Sequence, residues 1–178
     1  MALFREQADV SVRPATPEDE AAIARVQLRA WRASHGAVLG ADVLEQLDVQ
    51  AVRAQWERAI TAPPSASHRV LVACDGPRVV GFAASAPVEQ GIEVVALEVD
   101  PDHQRGGHGS RLLTACVDLA REQGAVHLQT WVLDDDAARE QFLAAAGLGP
   151  DGTRRELGVG ADGDGTRTVT EHRWVAEI

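Results

Sequence analysis

Two periodicities of apolar residues run along this chain, and they separate strands from helices. Short runs rich in valine and other apolar residues, bounded by turn residues, predict strands. Asp75-Gly76-Pro77 joins two of these runs and predicts a hairpin, and the glycine-rich stretch 160–165 predicts another near the end. The predicted strands are 10–13, 69–74, 78–85, 92–99, 126–133, 154–159 and 167–175.

Apolar residues spaced three and four positions apart predict helices between these strands. Thr16 and Pro17 suit the N-cap and the first position of the first helix, and Asp136 suits the N-cap of the last. A break near Asp48 divides the second helical region. The predicted helical regions are 17–35, 42–60, 108–124 and 137–146.

The resulting order of elements is βααβββαβαββ, which indicates an α/β protein with a mixed (α+β) sheet. A length of 178 residues suits one domain, and neither an internal repeat nor a long linker divides the chain. We therefore expect a single domain over 1–178, with 1–9 as a loose N-terminal segment.

A glycine cluster lies where the strand 92–99 gives way to a helix. The spacing Gln104-x-x-Gly107-x-Gly109 leaves backbone N–H groups uncovered at the first turn of that helix, where the helix dipole favours an anion. A P-loop is excluded because the chain contains no lysine, and a dinucleotide fingerprint would need glycine in place of Leu112. The alternatives are a phosphate-binding loop of another kind and an ordinary glycine-rich turn.

This spacing resembles the acyl-CoA signature, Arg/Gln-x-x-Gly-x-Gly/Ala, of the GNAT N-acetyltransferase superfamily. The order of elements is similar to the GNAT fold over essentially the whole chain, which implies a twisted sheet whose two middle strands splay apart. The resemblance further implies an enzyme that moves an acetyl group from acetyl-CoA to a primary amine by direct attack.

The resemblance also implies which residues hold acetyl-CoA. The strand before the glycines would bind the pantetheine arm through its backbone, and the loop amides would bind the pyrophosphate. The later family signature, Asn-x-x-Ala-x-x-Phe-Tyr, places Asp136 where the family has its CoA-contacting Asn and Arg139 where it has Ala. The implied CoA-binding residues are Leu97, Glu98, Val99, Gln104, Arg105, Gly106, Gly107, His108, Gly109, Ser110, Asp136 and Arg139.

In the same signature Leu143 replaces the tyrosine that often protonates the departing thiolate. A thiol of pKa about 8.5 leaves as thiolate at pH 7 at a cost of only roughly 2 kcal/mol, which water or a histidine can cover. The absence of this tyrosine therefore weakens the assignment of site residues more than it weakens the prediction of acetyl transfer.

The acceptor amine must lose a proton. At pH 7 this costs roughly 4–5 kcal/mol for a lysine-like amine of pKa about 10.4, and about 1–1.5 kcal/mol for an α-amine near 8. Glu93 occupies the position where histone-type members of the family have a glutamate base, and Glu98 lies beside the expected thioester. We expect Glu93, Glu98 or a chain of waters to accept this proton.

Composition excludes several classes of function. A formal net charge of −10 argues against nucleic acid and is compatible with a cationic amine. Without lysine there is no Schiff-base chemistry, and no apolar run is long enough to span a membrane. Cys74 and Cys116 are too few for a disulfide framework, so a cytoplasmic protein is expected.

No metal site is expected. Asp134-Asp135-Asp136 is interpreted as a helix cap, and Asp162-Gly163-Asp164-Gly165 lacks the remaining ligands of a calcium loop. The scattered histidines lack zinc-ligand spacing and are expected on the surface or in loops.

Two questions stay open at this stage. The acceptor is a small-molecule or peptide amine, and we expect its site to lie between the first two helices and the terminal hairpin, near Trp31 and His35. The protein is a monomer or a homodimer. The missing tyrosine supports the alternative of a non-catalytic acyl-CoA-binding module, and a third possibility is a nucleotide-binding α/β protein.

Overall fold

The computed structural model describes residues 10–36, 45, 47–162 and 165–178. Its strands are β1 Val10–Pro14, β2 Arg69–Asp75, β3 Arg78–Val88, β4 Gly91–Val99, β5 His127–Leu133, β6 Gly149–Asp162 and β7 Gly165–Glu177. Its helices are α1 Glu20–Ser34, α2 Val49–Thr61, α3 His108–Glu122 and α4 Ala137–Ala145, with 3-10 turns at Pro17–Asp19 and Pro101–His103.

The predicted order of elements is confirmed within this part of the chain. Two predictions lie outside the described residues, namely the loose segment 1–9 and the start of the second helical region at 42–44. The prediction of a break near Asp48 agrees with the structure, since Asp48 caps α2 by accepting a hydrogen bond from the backbone N–H of Gln50 at 2.8 Å.

The described strands form one sheet in the order β1-β2-β3-β4-β5-β7-β6. All neighbours are antiparallel except β4 and β5, which run parallel and pair only from Gly91–Val94 to His127–Thr130. Beyond Val94 the two strands are no longer paired, which is the predicted splay. The pairing of β3 with β4 skips Val95, so a bulge lies where the splay begins.

Helices cover both faces of the sheet. Leu112 and Cys116 of α3 are buried in a core on one face, together with Leu97 and Val99 of β4. Ile23 of α1 and other apolar side chains of α1 and α2 are buried against the opposite face, where the Trp56 ring packs edge-on against Phe82 with a centroid distance of 4.9 Å. The splay therefore opens in the middle of a sheet that is packed against helices on both faces.

No helix in the described residues is long and apolar enough to cross a membrane.

Candidate active site

Asp100 fixes the path of the chain as it leaves β4. Its side chain is fully buried, and it accepts hydrogen bonds from Arg29 Nη1 at 2.8 Å and from the backbone N–H of Asp102 at 3.1 Å. The backbone N–H of Asp100 donates to the carbonyl of Val80 at 2.8 Å. The start of the glycine loop is thereby tied to both α1 and β3.

The loop is closed by its own side chains. Gln104 Nε2 donates to the carbonyl of Val99 at 3.3 Å, and Arg111 Nη1 donates to the carbonyl of Gly106 at 3.0 Å. Arg105 has a φ of 64° and Gly107 a φ of 79°, so two residues of the loop have the left-handed backbone conformation before α3 begins. Glycine is the residue that adopts this conformation without a steric penalty.

The N-terminus of α3 has no side-chain cap. In contrast, Asp136 caps α4 by accepting a hydrogen bond from the backbone N–H of Arg139 at 3.0 Å. The N–H groups of His108, Gly109 and Ser110 lie in the first turn of α3, where no intrahelical acceptor exists. Exposed loop residues and an uncapped fifteen-residue helix fit an anionic group such as a diphosphate.

Arg139 spans the opening between α4 and β4. Its Nη1 donates to the carbonyl of Leu97 at 2.8 Å and its Nη2 to Glu98 Oε1 at 3.0 Å. Its Nε lies 3.9 Å from Asp136 Oδ2. Four of the residues predicted to hold acetyl-CoA, namely Leu97, Glu98, Asp136 and Arg139, are thus joined in one cluster.

A cavity of about 440 Å³ opens at the splay, between α1, α4, β4, β5 and the terminal hairpin. Among the described residues, its charged lining consists of three carboxylates, Glu98, Asp136 and Glu171, and one cation, Arg139. Trp31 and Trp131 supply aromatic walls. A cavity with this excess of negative charge and aromatic surface favours a cationic guest.

His35 lies at the C-terminal end of α1 and lines the same cavity. Only 9% of its surface is exposed, and burial lowers its pKa below the usual value of 6.5. Its Nε2 lies 3.9 Å from Asp136 Oδ2. The expectation that the histidines lie on the surface or in loops is therefore wrong for His35 and also for His108, the buried first residue of α3. The lowered pKa of His35 favours its neutral form.

Glu93 lies apart from this cluster and is not among the residues that line the cavity. Its Oε2 accepts hydrogen bonds from Gln129 Nε2 at 2.6 Å and from Trp131 Nε1 at 3.1 Å. The indole ring of Trp131 also lies under the guanidinium of Arg155, 4.1 Å from the ring centroid. Glu93 therefore lies behind Trp131. It orients the indole by a hydrogen bond, and Trp131 in turn lines the cavity.

Neither cysteine is placed to act as a nucleophile. Both Cys74 and Cys116 are buried, and burial raises the pKa of Cys116 to about 12, so it stays a thiol. Leu143 is buried in the core on the α3 face of the sheet rather than in the cavity wall. Within the described residues no group of three or more His, Cys, Asp or Glu side chains could hold a metal ion.

Sequence reasoning missed Glu171 altogether. It enters the cavity because β7 pairs with β5, which sets Glu171 opposite Leu133. Arg155 of β6 then donates to Glu171 Oε2 at 2.6 Å. The sequence holds no signal for this position, since one glutamate in an alternating strand is ordinarily a solvated residue.

Comparisons with known proteins agree with this geometry. A model of the acetyltransferase (GNAT) family matches residues 22–148, so the chain belongs to that family and is an acyltransferase of the GNAT type. It is 28% identical over 134 residues to an uncharacterized N-acetyltransferase, YuaI, of Bacillus subtilis (strain 168), which covers 71% of this chain and 73% of that relative.

Solved structures share the fold at low sequence identity. PaiA N-acetyltransferase from Thermoplasma acidophilum, in complex with coenzyme A, superposes with a TM-score of 0.76 at 14% identity, covering 96% of this chain and 99% of that one. YncA, a putative acetyltransferase from Salmonella typhimurium with acetyl-CoA, gives 0.64 at 20% identity, covering 94% and 93%. These likenesses show the GNAT fold.

Proposed function

We propose that this protein is an N-acetyltransferase that transfers an acetyl group from acetyl-CoA to a primary amine by direct attack. The observation that carries the proposal is the cavity at the splay of β4 and β5, lined by Glu98, Asp136 and Glu171. Glu98 and Glu171 are paired with Arg139 and Arg155, and with Asp136 the cavity still keeps an excess of negative charge that favours a cationic amine. Acetyl-CoA supplies the thioester, and CoA leaves as the thiolate.

The glycine loop supports the use of acetyl-CoA. Gln104 to Ser110 would hold the pyrophosphate with backbone N–H groups at the uncapped start of α3, and Arg105 is exposed beside them to add charge. The pantetheine arm would run from there toward Leu97, Glu98 and Val99, with Asp136 and Arg139 on its other side. Gln104, Gly107 and Gly109 match the family signature, whereas Asp136 and Arg139 stand where the family has Asn and Ala.

The two carboxylates named from the sequence take different parts in this proposal. Glu98 lines the cavity and attracts the acceptor ammonium, although its Oε1 is paired with Arg139. Glu93 orients Trp131 from outside the cavity. Glu93→Gln preserves a side chain that can accept from Trp131 and should affect turnover less than Glu98→Gln, which removes charge from the cavity itself.

The test is release of free CoA thiol from acetyl-CoA in the presence of a panel of amines that includes polyamines, aminoglycosides and peptides with free α-amines. We expect turnover of a cationic amine. We also expect Glu98→Gln to raise the KM for that amine. Acetyl-CoA binding without turnover on any class of amine would contradict the proposal and favour a non-catalytic acyl-CoA-binding module. Stabilisation by ATP or NAD but not by CoA would contradict both.

A further inference from the structure

A short hydrogen-bond chain at the end of α1 fixes the tautomer of His35. Ser34 Oγ lies 2.8 Å from the backbone carbonyl of Ala30 and must donate to it, because a carbonyl can only accept. The hydroxyl has a single proton, so in its other hydrogen bond, with His35 Nδ1, Ser34 Oγ is the acceptor. Nδ1 therefore carries the proton, and Nε2 has a lone pair.

The surroundings of His35 favour the neutral imidazole, and nearby carboxylates can stabilise the imidazolium that forms when the ring accepts a proton. Burial lowers its pKa, and so does Arg139, whereas Glu98, Asp136 and Glu171 act in the opposite direction. These groups come from β4, α4 and β7, the elements that line the cavity together with α1. Asp136 Oδ2, at 3.9 Å from Nε2, is placed to stabilise an imidazolium when one forms.

We propose that Nε2 of His35 is the general base that takes the proton from the acceptor amine, an assignment that rests on the proposed function. The amine nitrogen forms a bond to the acetyl carbonyl carbon, and the C–S bond breaks. Its electron pair leaves with the CoA sulfur as thiolate. An acceptor ammonium loses two protons on its way to the amide. The first passes to Nε2 and from there to solvent, which frees the nitrogen lone pair for attack, and the second leaves the nitrogen of the adduct and ends on the thiolate.

The carboxylates are poorer acceptors than His35 for a structural reason. Glu98 is paired with the guanidinium of Arg139 at 3.0 Å, and Glu93 accepts two hydrogen bonds outside the cavity lining. An oxygen of each carboxylate is thus already engaged by a protein donor. His35 combines a position in the cavity wall with a lone pair that its tautomer leaves available.

The first test does not depend on activity. Nitrogen-15 NMR of the imidazole should show His35 at pH 7 as the neutral ring with Nδ1 protonated and Nε2 unprotonated. Ser34→Ala removes the acceptor for Nδ1 and should raise the share of the other tautomer. A His35 ring that is charged at pH 7, or that carries its proton on Nε2, would overturn the assignment.

The second test is kinetic. His35→Gln should lower kcat/KM at pH 7 by about 100-fold or more, the usual contribution of a general base, with little change in KM for acetyl-CoA. It should also remove the fall of kcat/KM on the acid side of the pH profile, and imidazole should restore part of the activity of His35→Ala. The matched control is His68→Gln, because His68 also bonds a serine, Ser65, but lies outside the cavity lining.

The two proposals fail in different ways. If wild type turns over none of the amines, the proposed function is refuted and the base assignment with it. If wild type is active and His35→Gln keeps its rate and pH profile, only the role of His35 is refuted. Loss of the acid limb in Glu98→Gln or Glu93→Gln instead of His35→Gln would transfer the role to that carboxylate. Retained stabilisation by acetyl-CoA shows that each variant is folded.

Discussion

Gly107 and Gly109 lie two residues apart at the start of α3, and alanine at the two positions should change stability in opposite directions. Gly107 has a φ of 79°, and a Cβ there would lie 2.7 Å from Arg111 Nη1. An L-residue in the left-handed region costs about 1–2 kcal/mol, and the Arg111 side chain must also move. Gly107→Ala should therefore destabilise the unliganded protein by about that amount.

Gly109 has no such constraint. Its φ is not positive, and a Cβ would make ordinary contacts with the Phe142 ring at 3.5 Å and Leu97 Cδ2 at 3.8 Å. Alanine in a helix is favoured over glycine by about 0.5–1 kcal/mol, so Gly109→Ala should stabilise the unliganded protein. For a chain of this length, 1 kcal/mol corresponds to about 2–4 °C in Tm.

Thermal denaturation with and without acetyl-CoA separates the two effects. At a concentration of 100 times Kd a ligand adds about 2.7 kcal/mol, or roughly 5–10 °C here. Gly109→Ala should keep this increment, because the family signature accepts alanine there, whereas Gly109→Val should lose most of it by covering the loop amides. A folded Gly109→Val that keeps the full increment would refute the pyrophosphate assignment, and a Gly107→Ala as stable as wild type would refute the argument from φ.

Two further predictions concern titratable groups. Cys116 is buried, and burial raises its pKa to about 12. It should therefore resist iodoacetamide at pH 8 in the folded protein and react in urea, as measured by mass spectrometry. Rapid labelling of the native state would contradict this. Burial also lowers the pKa of His108, so below pH 6.5 the unfolded chain binds more protons. The unfolding free energy from urea titrations should therefore fall as pH drops from 7 toward 5, and less steeply in His108→Gln; an equal slope in that variant would contradict it.

The features that sequence predicts well in this chain are set by neighbouring residues. Asp136 was predicted at a helix start because a carboxylate there accepts a nearby N–H, and it makes that bond; the break predicted near Asp48 coincides with a cap of the same kind. The position of the glycine loop follows in the same way from the strand before it and the helix after it. Periodicity fixed the order of elements because each strand and helix buries one face.

The contents of the cavity could not be predicted in this way. Glu171 and Trp131 line the same cavity as the end of α1 because β7 pairs with β5 and because β5 diverges from β4. Both arrangements depend on pairing across the sheet. Glu93 was named from its position in the strand, but its hydrogen bonds come from β5, at Gln129 and Trp131. His35 was expected at the acceptor site, but its burial follows from packing that no local pattern records.

Arg139 has a consequence for how the proposed cofactor binds. The carbonyl of Leu97, which the family resemblance assigns to the pantetheine arm, already accepts a hydrogen bond from Arg139 Nη1 at 2.8 Å. A pantetheine amide at this point would either share the two lone pairs of that carbonyl with Arg139 or displace a charge-assisted hydrogen bond, so it would gain less here than at a free carbonyl. A pyrophosphate at the start of α3 would meet no such competition, because no side chain in the described residues caps the first-turn amides. Displaced from Leu97, the Arg139 guanidinium would still have Glu98 within reach, so the same exchange would keep that carboxylate paired and leave the proton to His35.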